Sequence, residues 1–288
     1  AFTGNAASSL NSAISTNGTT ANFGTGGVTL AGDSSVDTTN GGGVAAGANM
    51  TFGGLVTDGA GGFDLTLDGG TGGAIAFNNA GALTFTDLTI TNAASVNITG
   101  SATLNDLITT ANPYTVTMTG AANTVTADVD FLNTGLVTLG DGGGDTFLFT
   151  GGLAFTGNAA SSLNSAISTN GTTANFGTGG VTLAGDSSVD TTNGGGVAAG
   201  ANMTFGGTIE GTTLAADDLV LTAGTAGDIT MTGTVGAVTG LGNITVTNAN
   251  DFTTGTTLTA RSLTQTVGTG TTTLGGDVLV LAGINVTN

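Results

Sequence analysis

Residues 1–54 read AFTGNAASSLNSAISTNGTTANFGTGGVTLAGDSSVDTTNGGGVAAGANMTFGG, and residues 154–207 repeat them without a mismatch. The offset is 154 − 1 = 153, so the chain divides into a first unit, 1–153, and a second, 154–288. Beyond Gly54 and Gly207 the copies diverge but still echo one another: FDLTL at 63–67 answers DLVL at 218–221, and LTITNA at 88–93 answers ITVTNA at 244–249. A duplicated block must meet similar neighbours in both places. A globule rarely provides that, whereas in a solenoid each coil touches only the coils before and after it.

Within each unit, short runs alternate apolar and polar residues with the period of a half-buried strand. Phe63, Leu65 and Leu67 alternate with Asp64, Thr66 and Asp68, and Leu88 and Ile90 with Thr89 and Thr91. Val96 and Ile98, Tyr114, Val116 and Met118, and Ile244 and Val246 follow the same rule. Gly, Asn and Asp punctuate these runs about every 8 to 12 residues, and Asn92, Asn97, Asn123, Asn243 and Asn248 are suited to the bends. A sandwich of antiparallel hairpins shares that spacing. The long duplication, the Gly and Asn corners, the low charge and the thin aromatic content favour parallel coils instead.

The expected fold is therefore all-β, a right-handed parallel β-helix (β-solenoid). At about 20 residues per coil it forms an elongated rod of roughly 14 coils, about 65 to 70 Å long at the usual strand spacing. One segment departs from the pattern. Asn5 to Thr16, repeated at 158–169, spaces Leu10 and Ile14 four apart, which suits either a short helix after an Asn cap or irregular coil with short strands.

Composition excludes several functions. The 288 residues include 54 Gly, 1 Pro, no Cys, no His, 19 acidic residues and the single basic residue Arg261, for a net charge of −18. Nucleic-acid binding, which needs cations to neutralise phosphate, is not expected, nor is attraction to anionic membranes. No apolar run reaches the 18 residues of a membrane span, so no membrane insertion is expected. Gly, Thr, Asn and Ser all feature in flexible low-complexity segments, but a hydrophobic fraction of 39% and a mean hydropathy of +0.33 supply enough surface for a core. The chain opens at Ala1 with no basic and apolar leader, as a processed or excised segment does.

Chemistry has few residues to work with. Without His, Lys or Cys, the usual bases and nucleophiles are absent, leaving carboxylate pairs such as Asp217 with Asp218, Asp128 with Asp130, and Asp64 with Asp68. Solvated turn or strand acids explain these pairs more simply, so no catalytic residue, no cofactor and no enzymatic activity are expected. Asp141 and Asp145, in LGDGGGDTFLF at 139–149, are the one candidate metal pair: three Gly between them let carbonyls approach a Ca²⁺ ion. The motif occurs once, and a plain Gly-rich turn is the competing reading.

The segments GGVTLAGDSSVDTTNGGGVAAGANMTFGG, LTITNAASVNITGSATLNDL and ITVTNANDFTTGTTLTARSLTQTVGTGTTTLGGDV resemble the β-strand repeats of giant bacterial exoproteins. These are filamentous haemagglutinin-like and autotransporter-passenger-like proteins. The resemblance spans nearly the whole chain but rests on repetitive texture rather than on a binding motif. It implies a secreted, extracellular structural protein of a bacterial surface or filament, a rod, fibre or sheath built by coil stacking. Its expected partner is the chain itself, as an end-to-end or lateral homo-polymer. The alternative is an adhesin stalk or binding module for glycans or cell surfaces. A minor third reading is ice binding by Thr-rich faces, against which stands the irregular spacing of Thr from coil to coil.

Overall fold

The computed structural model describes residues 6–78 and 83–287. Among these there are 32 strands and no helix; the strand pairs whose register is defined within each unit are parallel, and the isolated bridges Asn17 with Thr39 and Asn170 with Thr192 are antiparallel. The sequence-derived β-solenoid is thus the observed architecture. The helical alternative for 5–16 gives way to the strands Ser8–Leu10 and Ala13–Ser15, and its copy to Ser161–Leu163 and Ala166–Thr169. Asn5, the proposed cap, lies outside the described residues. Leu10 and Ile14 point inward from two separate strands, with a bend at Asn11 and Ser12 between them, so their spacing of four reflects a corner rather than a helical turn.

Contacts divide the chain into two compact units, residues 1–126 with 130–138, and residues 127–129 with 139–288. In the first, Ser8, Val28 and Val56 align on successive coils, followed by Thr57 with Thr84, Leu83 with Ala102 and Thr103 with Thr124. The steps are 20, 28, 27, 19 and 21 residues. In the second unit, Ala166 follows Thr146 by 20 residues, Ser188 follows Ala166 by 22, Val220 follows Ser188 by 32, and Ile244 follows Leu219 by 25. Leu263 then follows Ile244 by 19, and Ile284 follows Leu263 by 21. The chain makes about 12 turns rather than the 14 expected, because several coils carry loops that a uniform length of 20 leaves out.

The longest of these loops shows how such an insertion is closed. Thr38 is fully buried at the root of residues 38–48; its Oγ1 donates to Ala48 O at 2.9 Å and accepts from Ala48 N at 2.9 Å. Thr191 pinches residues 191–201 in the same way. At the far side, Gly47 and Gly200 have φ of +58° and +61°, and a Cβ there would stand 2.0 Å from Gly69 O and 1.8 Å from Ala223 O. Only glycine meets both demands.

Inward residues form columns along the coil axis. In the first unit Ile14, Val36, Leu67 and Ile90 stack in register, and in the second Phe147, Ile167, Val189, Leu221 and Val246 do. Burying each such side chain contributes about 1.5–3 kcal/mol. Aromatic stacks reinforce a second face: Phe23, Phe52 and Phe77 lie 4.7 and 4.8 Å apart between ring centroids, and Phe155, Phe176 and Phe205 lie 5.4 and 4.7 Å apart. The strand spacing of a parallel sheet sets those distances, so equal rings on successive coils stack without adjustment.

Candidate functional site

Asp141 and Asp145 fall in the turn before the strand Thr146–Phe149. Asp145 is buried, and its Oδ2 accepts hydrogen bonds from Asp141 N at 2.9 Å and Gly142 N at 3.2 Å, while Asp141 itself is exposed. The glycines thus turn two N–H groups, not carbonyl oxygens, toward the carboxylate. That is the arrangement of a capped turn. Among the described residues no group of three or more His, Cys, Asp or Glu side chains converges as a metal site would require.

The same device recurs throughout. Asp37 Oδ1 accepts from Thr39 N and Thr39 Oγ1, both at 2.6 Å, and its Oδ2 from Gly41 N at 2.6 Å; Asp190 does the same with Thr192 and Gly194. Asp58 accepts from Ala60, Gly62 and Phe63, and Asp217 from the N–H groups of Thr212 and Thr213. Glu210 holds Val238 N and Thr239 N one coil on. Asp33, Asp68, Asp145, Asp186, Asp218, Asp228 and Asp251 likewise accept from backbone N–H groups, as Asp64 does from Asp87. A carboxylate is the strongest such acceptor, and here it closes the loops where the chain leaves the sheet. Sequence reading took these acids as solvated charge. The missed signal was Asp followed by Gly four residues on, as at 37 and 41, 58 and 62, and 190 and 194.

Asp217 and Asp218 do not face one another, nor do Asp64 and Asp68. Asp217 turns toward Thr212 and Thr213, whereas Asp218 turns toward Asn243, whose N and Nδ2 it binds at 2.6 and 3.0 Å. Asp68 caps Gly70 N at 2.9 Å. Asp64 instead belongs to an acidic column: Asp64 N donates to Asp33 Oδ1 at 3.2 Å, and Asp87 on the next coil pairs in register with Asp106. Burial pushes the Asp64 carboxyl above its ordinary 3.8, and the charges of Asp87 and Asp33 push it further, against an N–H from Asp87. For Asp37, burial also acts upward, but the Thr39 hydroxyl and the Gly41 and Thr39 N–H groups outweigh it and hold the group below 3.8.

The outer faces carry ordered hydroxyl columns. In the first unit Thr29, Thr57, Thr84, Thr103 and Thr124 occupy successive register positions; in the second Thr204, Thr230, Thr253 and Thr273 do. The irregular Thr spacing of the sequence is therefore absorbed by loops of unequal length, and the expectation of scattered Thr is corrected. An open groove of about 340 Å³ lies over Thr84, Thr86, Thr103, Asn105 and Thr126, beside Asp58. Another of about 410 Å³ lies between Asp190, Gly194, Thr222 and Thr225. Every described Phe except half-buried Phe63 is buried, as is Tyr114, so neither groove has an exposed ring.

One surface is apolar. The strand Val278–Val286 pairs on one side only, with Leu258–Gln265, and Leu279, Leu281, Ile284 and Val286 are 60, 74, 48 and 38% exposed. No helix among the described residues is long and apolar enough to cross a membrane. No family model matches the chain, and neither a curated protein nor a solved structure matches it.

Proposed function

We propose that this chain is a secreted structural protein of a bacterial surface, building a rod, fibre or sheath by coil stacking and self-association, without enzymatic activity. The observation that carries this reading is the parallel stacking itself, in which each coil is completed by the next and inward columns such as Phe147, Ile167, Val189, Leu221 and Val246 run along the coil axis. The chain's texture of short Gly- and Asn-bounded strands, similar to the repeats of bacterial exoproteins, supports an extracellular setting. The adhesin reading is weaker because sugar-stacking rings are turned into the core. Sedimentation velocity and negative-stain imaging of the purified chain across a concentration series test the proposal. Association growing with concentration into linear assemblies is expected, and a monomer at every concentration would overturn it.

A further inference from the structure

The sequence holds four Asn–Gly junctions, beginning at Asn17, Asn40, Asn170 and Asn193, and three Asp–Gly junctions, beginning at Asp58, Asp68 and Asp141. Glycine has no Cβ to shield its own nitrogen, so at these bonds the backbone N most easily attacks the preceding side chain. At Asn40 the Gly41 N would lose its proton to a solvent base and bond to Cγ, while the Cγ–Nδ2 bond breaks and ammonia leaves. Water then opens the five-membered imide to aspartate or isoaspartate. Ring closure therefore requires a glycine N–H that is free to turn and to give up its proton.

At all seven junctions that N–H is taken. Gly18 N and Gly171 N donate to Thr38 O and Thr191 O, both at 2.9 Å, and Gly69 N donates to Asn92 O at 2.8 Å. Gly59 N donates to Thr57 Oγ1 at 3.1 Å. The other three meet carboxylates: Gly41 N donates to Asp37 Oδ2 at 2.6 Å, Gly194 N to Asp190 Oδ2 at 2.8 Å and Gly142 N to Asp145 Oδ2 at 3.2 Å. We infer that Asn40 and Asn193 are latent deamidation sites, and that the Asp37 and Asp190 carboxylates guard them by keeping the attacking nitrogen protonated and turned away. Both Asn are exposed, in loops, with positive φ, so neither burial nor a strand keeps water from them. A negative charge 2.6 Å from Gly41 N opposes the negative charge that this nitrogen acquires on losing its proton. Burial acts upward on the Asp37 carboxyl, but the Thr39 hydroxyl and the Gly41 and Thr39 N–H groups hold it below 3.8, so it is charged in mildly alkaline water. Reaction would also loosen the loop, because Asn40 Nδ2 donates to Asn17 Oδ1 at 3.4 Å and Asn193 Nδ2 to Asn170 Oδ1 at 3.1 Å, and the leaving ammonia takes that donor with it. The guard holds whether or not copies of the chain associate.

The test incubates full-length chains in mildly alkaline buffer, digests them with pepsin and follows conversion of Asn to aspartate and isoaspartate by tandem mass spectrometry. Asp37→Ala marks the peptide of the first copy by mass, so Asn193, in the otherwise identical peptide of the second copy, is an internal reference. In that chain Asn40 is expected to convert at least about tenfold faster than Asn193, the effect of losing one charge-assisted hydrogen bond. Thr39→Val removes the bonds of Thr39 Oγ1 to Asp37 Oδ1 and Gly42 N but keeps Gly41 N on Asp37 Oδ2, and is expected to leave Asn40 converting as slowly as Asn193. Equal conversion of Asn40 and Asn193 in the Asp37→Ala chain overturns the inference. So does equal acceleration by Asp37→Ala and Thr39→Val, which would assign the protection to loop rigidity and not to the carboxylate.

Discussion

The two copies of the 54-residue block are an experiment in context, because one sequence is read twice with different neighbours. Their strands coincide, Ser34–Asp37 with Ser187–Asp190 and Met50–Phe52 with Met203–Phe205, except that Ala166–Thr169 runs one residue further than Ala13–Ser15. The loops 38–48 and 191–201 coincide as well, with φ of +56° at Asn40 and +54° at Asn193, and +87° and +89° at Gly42 and Gly195, although Gly27 has φ of +79° and its copy Gly180 is not left-handed. Burial does not. Ile14 is half-buried and Ile167 is 1% exposed, since the strand Thr146–Phe149 lies over the latter. Local sequence thus chooses strand and loop, and the adjoining coil supplies the hydrophobic stabilisation.

The largest expected difference between copies is at that pair. Ile167→Ala should cost about 2–5 kcal/mol in urea unfolding, and Ile14→Ala under about 1 kcal/mol, because only the former opens a cavity in a closed column. Equal losses would mean that the neighbouring coil contributes nothing. Where context is the same, the copies should respond alike: Gly47→Ala and Gly200→Ala should each cost more than about 1 kcal/mol, through positive φ and the close approach of Gly69 O and Ala223 O. Thermal melts of the two variants would diverge if the loops were not equivalent.

A smaller effect separates the acidic columns that follow the blocks. In the first unit Asp33 and Asp64 are followed by Asp87 and Asp106; in the second, Asp186 and Asp218 are followed by Asn243 and Ser262, with Ser262 Oγ donating to Asn243 Oδ1 at 2.8 Å. Since the Asp64 pKa is raised on folding, its charged form disfavours the fold, and stability rises as pH falls through the raised value toward 3.8. Asp87→Asn makes the first column resemble the second. It should lower the Asp64 pKa and flatten that rise, as followed by carboxyl NMR titration. The cap at Asp37 has the opposite sign: with its pKa lowered, its contribution is full above 3.8 and disappears as pH falls through the folded value. Asp37→Asn should remove this acid-sensitive part and cost about 1 kcal/mol at neutral pH.

The architecture was legible because alternation such as Phe63, Leu65, Leu67 and an error-free duplication both follow directly from a coil's two faces and its repetition. Coil length was not. The loops 38–48 and 58–63 bring no hydrophobic period, and only the observed register reveals that Thr29, Thr57 and Thr84 share one column despite steps of 28 and 27 residues. The acids were misjudged for the same reason: a carboxylate that caps Gly41 or Gly62 looks, in sequence, like one dissolved in water. Asp141 and Asp145 were singled out together, but their shared role, an Oδ2 accepting two N–H groups of a turn, depends on which way three glycines rotate the backbone.

Methyl-labelled nuclear Overhauser spectroscopy of the Ile, Leu and Val side chains tests the parallel stacking most directly. Leu65 lies beside Leu88 and Leu67 beside Ile90, so cross-peaks are predicted for those two pairs. Cross-peaks joining Leu65 to Ile90 and Leu67 to Leu88 would place the strands antiparallel and contradict the account.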